Sequence, residues 1–262
     1  MERLSILNVS IDNMSASALL EKLKQGGVVY TPNVYHLIRL QQDSEFYQVY
    51  QDADYRICDS QILYYVSRFL GQPILEKISG SDLFPAFYQH YCKDPEITIF
   101  LLGAGEGVGE RARQKINSKI GRNIVVDTYS PPFGFERDET ECERIVGRIQ
   151  HSGATVLAVG LGAPKQEKWI HRYRHRLPGV KTFLAIGASI DFEAEQVRRS
   201  PAWISRAGLE WLYRICMEPR RLWQRYCMDA FPFLWLIAVQ RLGLYRDPFF
   251  ESSIYSDSYS SQ

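Results

Sequence analysis

The segment VVYTPN, at residues 28–33, determines the fold of this chain. Its apolar first half predicts a buried strand. Pro32 ends that strand, because proline has no N–H for a sheet ladder and favours an extended backbone in the residue before it. We therefore expect Thr31 and Asn33 at the carboxyl end of the strand, with a helix directly after them.

A second predicted strand ends on a carboxylate. The segment YRIC at residues 55–58 predicts a short strand, and Asp59 follows it. In open α/β sheets ligands bind at the edge formed by the carboxyl ends of the strands. Thr31, Asn33 and Asp59 are expected there together, and they suit a polar ligand and one proton transfer. The alternative is that Asp59 only caps the following helix.

Strands and helices alternate through most of the chain, which predicts βα units and a largely parallel sheet. The sequence therefore favours an α/β, Rossmann-like fold with flanking helices. Asp82 and Asp191 follow small-residue loops and are expected at the same edge as Asp59. The strands are predicted at residues 4–9, 28–30, 55–58, 97–102, 123–127, 155–159 and 181–186.

Composition limits the class of protein. With 262 residues, 45% of them hydrophobic, the chain suffices for one large α/β domain or for a domain with an appendage. The five cysteines include no CxxC pair, which argues against a disulfide framework or zinc site and favours a reducing cytosol. We predict no signal peptide, and the apolar run at residues 230–239 is shorter than the ~20 residues of a membrane span.

Three regions are predicted: an α/β catalytic domain at residues 1–197, a helical appendage at 198–250 and a disordered, Ser-rich tail at 251–262. From Arg198 to Arg225, seven arginines stand against two acidic residues and are interleaved with Trp and Tyr. This pattern favours contact with an anionic membrane surface, with an ordinary solvated surface as the alternative. Because the rest of the chain is mildly acidic, nucleic acid is not expected as a partner.

A glycine-rich loop at residues 103–109 follows a predicted strand. Gly103 and Gly105 allow close approach of the backbone to a phosphate at a helix amino terminus, although a tight turn explains them equally well. The GxGxxG spacing fails because Val108 occupies the last glycine position. An oxidoreductase that uses NAD or a nucleotide sugar, with Asp127 as its acidic residue, is the alternative function.

A second loop, GLGAPKQE at residues 160–167, precedes a helix. Gln166 and Glu167 fall in the first helical turn, where their side chains are expected to point back over the sheet edge. An amide and a carboxylate beside free backbone N–H groups suit sugar hydroxyls. The alternative is ordinary stabilisation of the helix amino terminus by Glu167.

Histidines give little indication of a metal site. His171 and His175 stand one helical turn apart, but they lie among arginines with no acidic ligand nearby. We interpret them as part of a solvated basic face and predict no bound metal. His36, His90 and His151 have no partner that the sequence predicts.

Eight motifs follow one another in a specific order. They are TPN, a strand ending in Asp before a small residue, GSDL, YSPPFG, VGLGAPKQE, GASIDF, GLEWLYR and EPRRLWQRY. With this order, from about Leu4 to Tyr226, the chain resembles the WecG/TagA/CpsF glycosyltransferases (glycosyltransferase family 26). The resemblance implies a bacterial, cytoplasmic transferase, peripheral on the inner face of the plasma membrane, that inverts and needs neither metal nor cofactor. Its partners would be a UDP-sugar and a polyprenyl-diphosphate-linked saccharide of cell-surface polysaccharide synthesis.

The resemblance also implies roles for particular residues. Asp59 matches the proposed general base, and Thr31 and Asn33 match substrate residues beside it. Further substrate contacts are expected from Lys77, Asp82, Gly103, Gly105, Tyr129, Gln166, Glu167 and Asp191. The block expected to meet the lipid diphosphate and the membrane comprises Arg214, Arg220, Arg221 and Arg225.

Two positions depart from the family pattern. Lys77 stands where the family commonly has arginine, which keeps the charge but loses a bidentate fork. Ser60 stands where the family frequently has glycine, and its larger side chain is expected to narrow the pocket beside Asp59. The donor sugar (N-acetylmannosamine, its uronic acid or glucose), the acceptor and the oligomeric state, including a homo-oligomer, stay open. A non-catalytic membrane scaffold is a further alternative.

Overall fold

A computed structural model describes residues 2–197 and 219–250, and it confirms the α/β architecture. The described strands are β1 (Arg3–Ile6), β2 (Val9–Asp12), β3 (Gly27–Tyr30), β4 (Tyr55–Arg56), β5 (Ile99–Gly103), β6 (Val125–Tyr129), β7 (Val156–Gly160) and β8 (Thr182–Ala185). The described α-helices are α1 (Ala16–Leu23), α2 (Val34–Arg39), α3 (Ser44–Gln51), α4 (Gln61–Phe69), α5 (Gly80–His90), α6 (Val108–Ile120), α7 (Glu139–Ser152), α8 (Lys165–Tyr173), α9 (Ser189–Glu193) and α10 (Pro219–Arg241). Short 3₁₀ turns cover Phe135–Arg137 and Arg174–Arg176.

Six strands form one parallel sheet in the order β4-β3-β8-β7-β5-β6. In its register, Val29 of β3 aligns with Tyr55 of β4 and with Leu184 of β8. Since every strand runs the same way, the loops after all six strands lie along one edge. This edge brings together the segments in which the sequence predicts ligand contacts.

Helices cover both faces of this sheet, so its strands are almost wholly apolar. Successive residues of β3 show the alternation: Val28 and Tyr30 belong to one core cluster, and Val29 belongs to the other. In the same way, Phe100 of β5 lies in the first cluster, while Leu101 lies in the second. The short apolar runs of the sequence are therefore buried on two sides.

Several strand predictions need correction. The strand predicted at residues 55–58 covers only Tyr55–Arg56, and the strand predicted at 97–102 begins at Ile99 and ends at Gly103. The single strand predicted at residues 4–9 is wrong, because Leu7 adopts a left-handed backbone (φ 54°) and turns the chain into the antiparallel β1–β2 hairpin. The strand predicted at 123–127 begins and ends two residues later, at Val125 and Tyr129. Asp127 consequently lies inside β6, and Tyr129 lies at its carboxyl end.

The last helix, α10, packs against α2 and the hairpin. Phe233 and Ile237 lie buried in the first core cluster, and Gln240 accepts a hydrogen bond from the backbone N–H of Leu7 at 2.8 Å. Part of the predicted appendage thus belongs to the core. The boundary at 197/198 stays a prediction, because residues 198–218 lie outside the described part. No helix described is long and apolar enough to cross a bilayer.

Two glycines let elements pack closely at the carboxyl edge of the sheet. Gly103 has φ +118°, and a Cβ there would lie 2.5 Å from the carbonyl oxygen of Gly160 on β7. At Gly109 in α6, a Cβ would lie 2.3 Å from the hydroxyl of Thr128 on β6. Gly103 and Gly109, at the two ends of the glycine-rich loop, therefore have a packing reason that does not involve any ligand.

Replacement of Phe233 by Ala should show that α10 belongs to the core. Phe233 is 1% exposed, and loss of a buried phenyl ring costs about 3–5 kcal/mol of unfolding free energy. The matched control is Phe231→Ala on the outer face of the same helix, since Phe231 is 83% exposed and its loss should change stability by less than ~0.5 kcal/mol. Urea unfolding of the two variants gives the comparison, and equal losses would contradict this packing.

Replacement of Gly103 by Ala should lower the free energy of unfolding, because it disturbs the packing at the carboxyl edge of the sheet. The new methyl group meets the backbone of Gly160 and the residue must keep a positive φ, which together cost about 1–3 kcal/mol. In the control Gly147→Ala, the Cβ enters open space within α7, and stability should rise by about 0.5–1 kcal/mol. Thermal unfolding measures both, and a stable Gly103→Ala protein would disprove the close approach of β5 and β7.

Candidate active site

Asp59 lies three residues after the end of β4, and its backbone and side chain form the following hydrogen bonds. Its own N–H donates to the carbonyl of Pro32 at 3.1 Å. Its Oδ1 accepts from the N–H of Gly80 at 3.2 Å, and its Oδ2 accepts from the amide Nδ2 of Asn33 at 3.4 Å. The side chain is half-buried. The structure thus brings the carboxylate and the TPN segment into contact at the carboxyl edge.

Asp59 does not cap the helix that follows it. Ser60 is the N-cap of α4, and its hydroxyl accepts from the N–H of Leu63 at 3.5 Å. The sequence-based alternative for Asp59 is therefore wrong. The same residue, Ser60, is the position at which the family pattern often has glycine, so the substitution has a structural role in starting α4.

Thr31 and Asn33 take different positions at the end of β3. Thr31 is 6% exposed, and its hydroxyl donates to the carbonyl of Ala185 at 3.3 Å, which joins β3 to the end of β8. Asn33 caps α2, because its Oδ1 accepts from the N–H of His36 at 3.3 Å, while its Nδ2 faces Asp59. The catalytic roles assigned to both residues stay predictions.

The loop that contains Lys77 lies beside Asp59. Its Ile78 N–H donates to the carbonyl of Cys58 at 2.8 Å, and the next residues start α5. The Nζ of Lys77 is 4.0 Å from Oδ2 of Asp82, which is half-exposed in the first turn of that helix. A cation and an acidic group therefore lie one loop away from the candidate base.

Gln166 and Glu167 do not face solvent at the edge, which corrects the expectation for them. Both are in the first turn of α8 and are 2% and 0% exposed. The Nε2 of Gln166 donates to Oε1 of Glu167 at 2.8 Å, and its Oε1 accepts from the N–H of Gly187 at 3.2 Å. As placed, Glu167 has no surface to offer a sugar hydroxyl, and Gln166 binds the backbone after β8.

The residue that sequence reasoning missed is His36, which has a partner in the structure. Its Nε2 lies 3.4 Å from Oε1 of Glu167, within ion-pair distance but outside hydrogen-bond geometry. Its Nδ1 accepts from the backbone N–H of Asn33 at 3.2 Å. A signal exists in the sequence, since a residue three positions after an N-cap often completes a capping box.

The glycine-rich loop and the YSPPFG segment are tied together. The hydroxyl of Ser130 donates to the carbonyls of Gly103 and Gly105 at 3.2 and 3.0 Å. Tyr129 donates to Glu141, and this hydrogen bond is the main cause of the raised pKa of Tyr129. The amino terminus of α6 follows β5 at this edge and has no side-chain cap, while the N–H of Val108 donates to the carbonyl of Gly105 at 3.0 Å.

Asp127 lies inside β6 and forms a partly exposed ion pair with Arg148. The Nε and Nη2 of Arg148 donate to its two oxygens, each at 2.8 Å, and this hydrogen bonding lowers the pKa of Asp127. Together with the failed GxGxxG spacing, this contact removes the support for the NAD-dependent oxidoreductase. Asp191 lies in the first turn of α9, after β8 and at the carboxyl edge.

The remaining predicted residues are only partly placed. Arg214 lies outside the described residues. Arg220, Arg221 and Arg225 lie in α10, with side chains beyond the described set. Within residues 2–197 and 229–250, no three His, Cys, Asp or Glu side chains group closely enough to hold a metal ion. The Nδ1 of His171 instead lies 2.9 Å from an oxygen of Asp52.

The amino-acid sequence of the chain is similar to that of a known protein family. The sequence profile of the Glycosyl transferase WecG/TagA/CpsF family matches residues 4–247. This match continues past Tyr226, its expected end, through the rest of α10 and into the loop after it. A protein of Bacillus subtilis (strain 168) named N-acetylglucosaminyldiphosphoundecaprenol N-acetyl-beta-D-mannosaminyltransferase is 28% identical over 232 residues, or 86% of this chain and 87% of the relative. A protein of Bacillus spizizenii with the same name is 28% identical over 201 residues, or 77% of this chain and 75% of the relative. The chain therefore belongs to the WecG/TagA/CpsF family of glycosyltransferases.

Proposed function

We propose that this glycosyltransferase moves a sugar of the N-acetylmannosamine type from a UDP-sugar to a polyprenyl-diphosphate-linked saccharide, with inversion at the anomeric carbon. The observation that carries the proposal is the carboxylate of Asp59, held by Asn33 and Gly80 at the carboxyl edge of a parallel sheet. The names of the two Bacillus relatives support this choice of donor sugar and acceptor. Such a reaction contributes to synthesis of a cell-envelope polysaccharide.

In this mechanism Asp59 is the general base. Its carboxylate removes the proton from an acceptor hydroxyl while that oxygen attacks the anomeric carbon of the donor sugar. The bond to the UDP oxygen breaks in the same displacement, which inverts the configuration. The hydrogen bonds from Asn33 and Gly80 fix the orientation of the carboxylate before substrate binds, so less ordering is needed at the moment of reaction.

Protein cations and backbone N–H groups stabilise the charge that develops on UDP. Candidates on the described edge are Lys77 and the uncapped first turn of α6 after the glycine-rich loop. The arginines of the basic block are assigned to the lipid diphosphate. The donor needs no cofactor in this scheme, because the leaving group is already activated as a diphosphate.

The chain acts at a membrane surface as a peripheral protein on the cytoplasmic side. The outer face of α10 presents Phe231, Leu234 and Trp235, which are 83%, 60% and 70% exposed. These side chains follow the arginine-rich segment directly in sequence. Apolar and aromatic groups next to positive charges suit the headgroup region of an anionic bilayer, where the lipid-linked acceptor resides.

A screen of UDP-sugars against a synthetic prenyl-diphosphate-linked saccharide, followed by mass spectrometry, tests the function. We expect an added mass of one N-acetylhexosamine with UDP-N-acetylmannosamine. Addition from the uronic acid or glucose donor instead would overturn the donor assignment. No transfer and no release of UDP with any donor would favour a non-catalytic scaffold.

Replacement of Asp59 by Asn should abolish general-base catalysis while the protein stays folded. The amide has the same shape but takes no proton, and loss of such a base lowers the rate by about 10²–10⁴. Asp94→Asn, in the turn before β5 at the opposite edge, is the control and should keep normal turnover. Initial rates of UDP release measure both, and a turnover number near that of the unmodified enzyme would exclude Asp59 as the base.

Charge reversal at Arg220 and Arg221 should weaken membrane binding and transfer together. Each glutamate replaces attraction to anionic lipid by repulsion, and a basic residue near such a surface contributes about 1 kcal/mol. Co-sedimentation with vesicles containing anionic lipid should therefore fall by at least about tenfold for the double variant. If binding to these vesicles does not change, the membrane role of the basic block is wrong.

A further inference from the structure

A buried carboxylate–imidazole pair, Glu167 and His36, lies behind the candidate base and has no role in the mechanism above. Glu167 is fully buried and His36 is 4% exposed, and the carboxylate and imidazole are 3.4 Å apart. Among the described residues, His36 is the only titratable base within ion-pair distance of Glu167. A carboxylate at this depth is costly to bury and packs no better than an apolar side chain of its size, so its contacts need an explanation.

The hydrogen bonds of His36 define its tautomer. Its Nδ1 accepts from the backbone N–H of Asn33, so this nitrogen carries no proton. The ring proton is therefore on Nε2, which faces Oε1 of Glu167. A carboxylate in this position favours that tautomer and holds the ring orientation, as acidic partners of functional histidines commonly do.

Asn33 connects this pair to Asp59. Its backbone N–H is held by the imidazole, and its Oδ1 accepts from the backbone N–H of His36, so both ends of the residue are fixed. With these two groups held, the Nδ2 of Asn33 points to Asp59 and donates to its Oδ2. The four residues form one series of contacts that runs from the buried carboxylate to the half-exposed one.

The negative charge of Glu167 affects two buried tyrosines that pack around the pair. Tyr30 and Tyr50 face it from β3 and α3, and the hydroxyl of Tyr30 donates to the backbone carbonyl of Glu167 at 3.2 Å. Burial raises the pKa of both tyrosines, and the negative charge of Glu167 is the next cause. The Nε2 of Gln166 also donates to Oε1 of this carboxylate at 2.8 Å, while among the described residues its Oε2 has no hydrogen-bond partner.

We propose that His36 and Glu167 are positioning residues that orient Asn33, and through Asn33 the carboxylate of Asp59, for proton transfer. The inference rests on the proposed function, since it assigns Asp59 as the base. Neither residue touches substrate in this scheme. Their effect is on the turnover number, because they set the direction of a carboxylate that acts only in the chemical step.

The test compares full-length variants in the UDP-release assay with the lipid-linked acceptor. His36→Ala should lower kcat by about 10- to 100-fold, the range found when a supporting partner of a functional group is removed, and leave the KM for the donor within about twofold. His36→Gln should recover most of that loss, since glutamine at this position also accepts the N–H of the capping residue. The control His175→Ala removes an exposed histidine and should match the unmodified enzyme.

A double-mutant cycle separates positioning from a general structural effect. In the Asp59→Asn background, His36→Ala should cause no further loss of residual activity, because its effect passes through Asp59. An equal loss in both backgrounds, or a change confined to KM, would overturn the proposal. If His36→Ala does not fold, the isosteric Glu167→Gln carries the test: it should lower kcat, and a normal kcat would overturn the proposal.

The outcomes distinguish this inference from the proposed function. Normal turnover of Asp59→Asn would remove the base itself, whatever the His36 variants do. Loss of turnover in Asp59→Asn with full activity in both His36→Ala and Glu167→Gln would leave the base in place and refute the positioning pair alone. Loss in all three, without additivity, supports both.

Discussion

One main-chain hydrogen bond, from the N–H of Asp59 to the carbonyl of Pro32, holds the ends of β3 and β4 together. Pro32 cannot donate to the sheet, but its carbonyl still accepts, and the ladder therefore continues one step past each strand. This places the Asp59 carboxylate beside the Asn33 amide. The loop that contains Lys77 is bonded to the same place through Cys58 and Gly80, so the site is built on the backbone rather than on flexible side chains.

Two carboxylates near this edge have contrasting surroundings. Asp59 is half-buried and accepts two N–H groups, an arrangement that leaves access to a hydroxyl from outside. Glu167 is closed off from solvent and meets an imidazole and an amide. Under the proposed mechanism, the accessible carboxylate would contact substrate and the buried one would support it from the interior, so the reacting group stays accessible without becoming mobile.

The sequence predicted the sheet well because parallel strands buried on both faces leave short apolar runs between turn residues. It also predicted that Asn33 and Asp59 meet, since that follows from strand direction alone. The predictions from the sequence failed at positions whose structure is determined by tertiary contacts. The left-handed Leu7 divides the segment at residues 4–9, whose alternation predicts a single strand. Glu167 is buried against His36 of α2 and Gln166 against the backbone after β8, and both contacts are distant in sequence. His36 was overlooked because its partner is on another helix.

The position of α10 has a consequence for how the enzyme meets a bilayer. This helix buries Phe233 and Ile237 in the body of the protein and packs on α2, the helix that Asn33 caps. If the outer face of α10 meets a bilayer as proposed, its packing on α2 connects that bilayer to the helix that Asn33 caps. The distance from the lipid headgroups to Asp59 would then depend on this helix packing, and it would limit which lipid-linked acceptors reach the carboxylate.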